Sequence, residues 1–379
     1  MTLFGFKEEY GTSALQREYV ERVLSDVMRE NNYERITIPV IEPFSSYSED
    51  IVGQTPWPEW NEKCIFKFRI IDYQDDYSDA KTNSNMVCLI PEGTVSITRW
   101  LASIINKGEP ANRKLFYCFN CYRNELISTL SKTKRREFQQ FGVEIMDSGD
   151  IKSDIELFEI VISLLHSLGI NEKNIRIRVN DVAIFNKLVS ICNINQEDTI
   201  LLKKQLDSIA ECHAGKHPET FSDIKSNVVK LLSQYSLNEQ NIMLWETILN
   251  HSYNGIDDVI SIFPDFFQSY FDSLKEILHR FNHEKATVDL DLSVIRSHQY
   301  YSGLSFEVDV VTNDNTYFEI AGGGRYDRLV GTFLQANYSN CITAIPCTGF
   351  AFGVDRVITM LNDLSLLSGT KEIISKFNL

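Results

Sequence analysis

Between Leu115 and Asp147 the chain reads LFYCFNCYRNELISTLSKTKRREFQQFGVEIMD. The pattern predicts two strands joined by a long polar hairpin. The first strand ends on a charge pair, Arg123 and Glu125. The second carries Phe138, Gln140 and Glu144, whose even spacing puts all three on one face. A cation, an acid, an aromatic ring and an amide converging on one sheet face suit a nucleotide together with a small polar molecule. The same pattern suits a half-buried antiparallel hairpin with an exposed basic turn, and this segment alone does not separate the two.

The surrounding elements must position that hairpin. Residues 13 to 31 read as an amphipathic helix with Ser13 as its N-cap. Leu15, Tyr19, Val23 and Val27 recur along one side, backed by Val20, Leu24 and Met28. An alternating strand follows from Ile36 to Ile41. Residues 45 to 85 are polar and irregular, with Pro56, Pro58 and an acidic patch from Asp72 to Asp79, and predict a loop with at most a short hairpin. Thr94 to Ile105 and Lys152 to Leu168 read as helices, and Ile175 to Val179 as a strand. From Asp181 to Lys285 strand signals fade and helical runs dominate: Leu201 to Glu211, Ile224 to Gln234, Asn238 to Leu249 and Phe266 to Phe281. Strand signals return at Thr287 to Leu292, Ser302 to Val311 and Tyr317 to Ile320. The order predicts an α+β fold, an antiparallel sheet flanked by helices and interrupted by a helical insertion.

At 379 residues the chain can bury a large core and predicts more than one domain. No run is long and apolar enough for a membrane span, and the N-terminus has no basic-then-apolar signal, so a cytoplasmic protein is expected. The eight cysteines show no paired framework and are expected as thiols. Cys118 and Cys121 form a CxxC, but on a strand their side chains point to opposite faces, which favours core packing over zinc. Cys212, His213 and His217 lie close in sequence without a fourth partner, so no protein-borne metal cluster is expected. The net charge of −15 argues against a large nucleic-acid footprint. The one basic run, Lys132, Lys134, Arg135 and Arg136, suits either contact with a nucleic-acid end or polyphosphate, or a solvated turn. There is no GxxxxGK phosphate loop.

The hairpin resembles motif 2 of the class II aminoacyl-tRNA synthetases, most closely the histidyl-tRNA synthetase group. Other segments are similar to that group in the same order: ITIPVIE (residues 36–42) to motif 1, LIPEGT (89–94) to LRPEGT, VIRSHQYYSGLSF (294–306) to VRGLDYYTGTVF, GGGRYD (322–327) to the glycine-rich strand, and GFAFGVDR (349–356) to motif 3. The resemblance implies a catalytic core over residues 1–181 and 286–362, a helical insertion domain over 182–285, and a short tail over 363–379 with no anticodon-binding domain. It also implies a homodimer built on Ala14 to Met28 and Ile36 to Ile41.

By the same resemblance ATP with Mg2+ is the expected cofactor pair. Arg123 would hold the α-phosphate and substrate carboxylate, Arg296 would be a second α-phosphate contact, Phe138 would stack on adenine, Glu125 would contact the base or its phosphates, and Arg356 would hold the γ-phosphate. Glu92, Thr94 and Gln140 would take the amino acid's polar atoms. Glu144, with Tyr301 beside Tyr300, would read an imidazole, because a carboxylate and a phenol satisfy its two ring nitrogens. The implied function is ATP-dependent activation of histidine to an adenylate, with tRNA or another molecule as acceptor.

Departures from the pattern keep a second reading open. Gln299 replaces an acid, Ile90 replaces an arginine, and the motif 2 loop is a few residues longer than usual. The SHxYYxG form is similar to the synthetase paralogue that serves as regulatory subunit of a short-form ATP phosphoribosyltransferase in histidine biosynthesis. That paralogue senses histidine, partners the catalytic subunit and charges no tRNA.

Overall fold

Helix α1 spans Thr12–Glu30 and buries Val20, Leu24, Val27 and Met28. Spacings of three and four residues put these on one stripe. The other predicted stripe, Leu15, Tyr19 and Val23, is only half-buried. Ser13 is not the N-cap: that position is Gly11, and the Ser13 hydroxyl donates instead to the Tyr10 carbonyl at 3.0 Å. The predicted strand over residues 36–41 is broken. A two-residue strand β1 (Glu34–Arg35) ends first, and β2 (Ile41–Pro43) starts in a different sheet. Pro39 lies between them and has no N–H to continue a ladder.

These elements belong to the computed structural model, which describes residues 3–53, 64–70, 86–127, 130, 134–215, 217–250, 255–281, 286–296, 299–312, 316–367 and 375. Much of the predicted 45–85 loop, its acidic patch, Lys132 and most of the tail lie outside the described residues. Two compact units emerge, Met1–Ser148 with Asp327–Leu379, and Gly149–Tyr326. The helical stretch after Asp181 therefore shares a unit with the strands on either side of it. Among the described residues no helix is long and apolar enough to cross a membrane.

In the first unit a 3-10 turn (Phe44–Tyr47) and the short helix α2 (Glu49–Val52) follow β2. Strands β3 (Lys67–Arg69) and β4 (Met86–Leu89) complete a small antiparallel sheet of order β2-β4-β3. Helix α3 (Gly93–Asn106) leads to the long hairpin, β5 (Arg113–Tyr122) and β6 (Glu137–Met146). The hairpin register sets Cys121 opposite Phe138 and Phe119 opposite Gln140.

The second unit opens with α4 (Ile151–Ser167) and β7 (Ile175–Asp181). Helices α5 (Val182–Ile191), α6 (Gln196–His213), α7 (Phe221–Leu232), α8 (Glu239–Leu249), α9 (Ile256–Ile262) and α10 (Gln268–Phe281) follow. Each predicted helical run corresponds to one of them. Strands β8 (Thr287–Leu290), β9 (Leu304–Val311) and β10 (Tyr317–Arg325) then pair in the order β10-β9-β7-β8. Phe158 of α4 meets Phe306 of β9 edge-on at 4.8 Å and Phe281 of α10 at 5.8 Å. Such ring pairs each add about 0.5–1.5 kcal/mol beyond their buried area.

The chain then returns to the first unit as α11 (Leu329–Tyr338), β11 (Cys347–Gly353) and α12 (Val354–Asp363). Strand β11 pairs antiparallel with β6 and sets Gly349 opposite Glu144. Helix α11 packs on α3, and α12 packs on α1 and β6.

Candidate functional site

Three hydrogen bonds tie the start of α3 to the face of the β5–β6 hairpin. The Gly93 N–H donates to Gln140 Oε1 at 2.8 Å, and Thr94 Oγ1 donates to Glu144 Oε1 at 2.8 Å. Arg123 Nε donates to the Pro91 carbonyl at 3.0 Å. The Arg123 guanidinium also lies over the Phe138 ring, 4.9 Å from its centroid. Arg123, Phe138, Gln140, Glu144 and Thr94 are thus joined within one unit.

Glu92 is the N-cap of α3. Its carboxylate accepts from Thr94 N–H at 2.9 Å and Val95 N–H at 2.7 Å, satisfying two of the helix's otherwise orphan donors. Burial pushes the Glu92 carboxyl up from the ordinary value, against those two hydrogen bonds and the nearby Arg123 charge. Glu144 is only 1 % exposed. A Cβ on Gly349 would fall 1.9 Å from Glu144 Oε2, so the bare glycine is what leaves room for this carboxylate. Burial, with the charges of Glu144 and Glu92, holds the neighbouring Tyr117 phenol well above its usual range. The site therefore holds two buried carboxyl groups, Glu92 and Glu144, with Arg123 beside them.

Glu125 is also buried, and Lys134 approaches its carboxylate at 3.4 Å. Its backbone carbonyl accepts from Arg136 at 3.1 Å. Arg135 pairs with Asp355 at 3.2 Å, and Arg17 pairs with the same carboxylate at 2.7 Å. The predicted basic run is thus engaged internally at Lys134, Arg135 and Arg136, which fits neither a freely solvated turn nor an open cationic patch. Asp355 also accepts from the Gln139 N–H at 3.1 Å, fixing the start of α12 against β6 and thereby the half-buried Arg356 beside it. Sequence reasoning missed Asp355 and Arg17; the only signal was the acid directly before the motif 3 arginine.

The remaining predicted residues, Arg296, Tyr300 and Tyr301, lie in the second unit. Tyr300 and Tyr301 pack at 4.9 Å, and Tyr326 meets Tyr300 edge-on at 6.1 Å. Arg296 adopts a left-handed backbone with φ 53°, and its guanidinium reaches Glu307 at 3.0 Å. Burial works against that charge, but Glu307, together with Tyr301, Glu319 and Asp207, outweighs it and holds the arginine above its ordinary value. Glu307 in turn meets the buried Arg178 at 2.6 Å, which also contacts Asp291 at 3.0 Å and Asp309 at 3.1 Å.

This ion network went unread in the sequence. Its trace is opposite charges at period two on neighbouring strands, and the register sets Arg178 opposite both Glu307 and Asp289. The Cys212–His213–His217 group does not share a ligand-binding point. Cys212 Sγ faces the His217 carbonyl at 3.5 Å, whereas His213 Nδ1 faces Asp291 at 3.1 Å. Among the described residues no group of three metal-ligating side chains converges.

Comparison with known proteins gives a consistent result. The family profile described as histidyl-tRNA synthetase matches residues 5–357. The histidine–tRNA ligase of Sulfolobus acidocaldarius is 26 % identical over 365 residues, covering 95 % of this chain and 74 % of that protein. The Saccharolobus islandicus ligase is 27 % identical over 374 residues, covering 96 % of this chain and 76 % of that protein. Among solved structures, an ATP phosphoribosyltransferase regulatory subunit/histidyl-tRNA synthetase from Bacillus halodurans superposes with TM-score 0.72 at 19 % identity, over 96 % of this chain and 83 % of the other. A histidine–tRNA ligase subunit from Alicyclobacillus acidocaldarius gives TM-score 0.67 at 21 % identity, over 96 % and 98 %.

Proposed function

This chain belongs to the histidyl-tRNA synthetase family, and from that premise we propose that it activates histidine with ATP to histidyl adenylate, for transfer to tRNA or to another acceptor. The observation that carries this reading is the hydrogen-bonded lock between the α3 N-terminus and the hairpin face. It presents a buried carboxylate and a fixed arginine side by side, while the positive end of a 14-residue helix faces the same group of residues.

In the reaction a histidine carboxylate oxygen attacks the α-phosphorus, a new O–P bond forms, and the bond to pyrophosphate breaks. Arg123 serves by drawing the two anions together and holding charge that grows on the phosphorus. Phe138 offers the adenine a ring face, and Arg356 a cation for the γ-phosphate. Glu144 accepts from an imidazole N–H. Glu92, Thr94 and Gln140 orient the amino acid. Mg2+ supplies neutralisation of the triphosphate oxygens when bound. Glu125, a buried carboxylate, and the phosphates would supply oxygen ligands to a metal that arrives with the nucleotide.

A second reading is a histidine-sensing regulatory subunit of an ATP phosphoribosyltransferase. Similarity to the Bacillus halodurans ATP phosphoribosyltransferase regulatory subunit/histidyl-tRNA synthetase supports this second reading. Histidine-dependent exchange of labelled pyrophosphate into ATP, run across the common amino acids, separates them. Exchange with histidine is expected, and Arg296→Ala should reduce it on the order of 10²-fold or more while histidine affinity changes far less. Tight histidine binding by calorimetry with no exchange for any amino acid would overturn the enzyme reading in favour of the regulator.

A further inference from the structure

Arg296 is placed by the protein with unusual care. Its backbone sits in the left-handed region at φ 53°, which a long L side chain rarely adopts without compensation. Its guanidinium rests on the bare backbone of Gly322, where a Cβ would come within 2.4 Å of Cζ. Glu307 Oε1 holds one nitrogen at 3.0 Å, whereas Nε makes no hydrogen bond among the described residues. One edge of the arginine is therefore anchored and donor capacity remains.

The anchor is itself anchored. Glu307 Oε2 accepts from Arg178 at 2.6 Å, so each oxygen of this carboxylate is engaged by a different guanidinium. Arg178 is fully buried, and its nitrogens also donate to Asp309 at 3.1 Å, Asp291 at 3.0 Å and the Ala210 carbonyl at 2.8 Å. Asp291 meets His213 Nδ1 at 3.1 Å and the Ser293 N–H at 3.1 Å. A buried ion network of this kind is a poor device for stability, because desolvating the charges offsets their attraction and apolar residues fill the same space at no loss. What such a network does supply is a single geometry, since no member can rotate without leaving a buried charge unmatched.

Resting on the adenylation reading, we propose that Glu307 and Arg178 are positioning residues for Arg296, fixing its guanidinium before substrate arrives so that it meets the developing phosphate charge without reorganisation. Glu307 acts directly on Arg296. Arg178 acts through Glu307, and couples it to the last turns of α6 through Ala210.

The test compares Glu307→Gln, Arg296→Ala and the double variant. Glu307→Gln keeps the side-chain volume and removes the charge that holds Arg296. Pyrophosphate-exchange kcat is expected to fall on the order of 10- to 100-fold, the scale of a small misplacement of a catalytic group, with KM for histidine and ATP changing only a few fold. In the Arg296→Ala background the same substitution should cause no further loss, because the positioned group is gone. An equal loss in both backgrounds would show a general structural effect and overturn the proposal.

A second readout needs no activity. In protein labelled with ¹⁵N-arginine, the Arg296 guanidinium resonances, assigned by their loss in Arg296→Lys, should show hindered rotation in the parent and free rotation in Glu307→Gln. Unchanged rotation also overturns the proposal. If the parent shows no exchange at all, the adenylation reading falls while this measurement still decides the positioning. Should Glu307→Gln not fold, Arg178→Lys keeps the charge but loses the planar fork, and the same shift in Arg296 mobility is expected.

Discussion

Glu144 shows how one side chain acquires a role from its surroundings. A buried carboxylate that has a threonine hydroxyl on one oxygen is costly to deprive of further partners. An imidazole N–H supplies such a partner, so Glu144→Gln is expected to weaken histidine binding by roughly 1–3 kcal/mol. Calorimetry showing an unchanged affinity would remove Glu144 from the recognition set. Gly322 provides a complementary probe. The atoms a Cβ would meet there all belong to the far end of the Arg296 side chain, which can swing aside. Gly322→Ala should therefore break the Arg296–Glu307 pair and lower exchange turnover about tenfold or more, as expected when a catalytic cation is displaced, with some loss of thermal stability. Full turnover in that variant would show that the exact seat of Arg296 is unimportant.

At the scale of elements, the charged clusters bind segments that the apolar pattern alone leaves loose. Glu9 joins the N-terminal segment to α1 through Arg17 at 2.6 Å and to Lys7 at 2.9 Å. Its burial pushes the carboxyl up, but the hydrogen bonds and charges of Arg17 and Lys7 win and lower it from 4.5 to about 2. The sign follows from linkage. The folded carboxyl is the stronger acid, so its contribution is complete above pH 4.5 and disappears as the pH falls toward 2. Urea unfolding of the parent and Glu9→Gln should therefore differ near neutrality and converge as the pH approaches 2. A gap that stays constant over that window would show that the ion pair contributes nothing, as is common for partly exposed pairs.

For the whole molecule, the expected homodimer remains a proposal supported by exposed apolar surface in the first unit. The half-buried stripe of Leu15, Tyr19 and Val23 needs a cover that the rest of the chain gives only in part. Val40 and Ile41 are likewise exposed, and so is Phe68 in the small sheet. A stable pair of subunits needs about 800 Å² from each partner. Sedimentation at micromolar concentration should show a dimer, and Leu15→Lys combined with Val23→Lys should shift it toward monomer. A monomeric parent with an ordered core would remove the proposal and leave the fold untouched.

Local pattern was enough to reveal the α+β layout, the long hairpin and the helical stretch after Asp181. Alternation and helical spacing are properties of neighbouring residues, so Phe138, Gln140 and Glu144 declare their common face without knowledge of anything distant. Other features depend on partners far along the chain. Pro39 broke a predicted strand because the two sheets it separates take their partners from β4 and β5. Which stripe of α1 is buried was decided by packing on α12 and β5. Within the basic run, Lys134 pairs with Glu125 and Arg135 with Asp355, an acid 220 positions beyond Arg135 in sequence. Arg178, 0 % exposed, finds two of its carboxylates on β9 and the third, Asp291, just past the end of β8. Charge compensation is a through-space sum, and only the tertiary structure performs it.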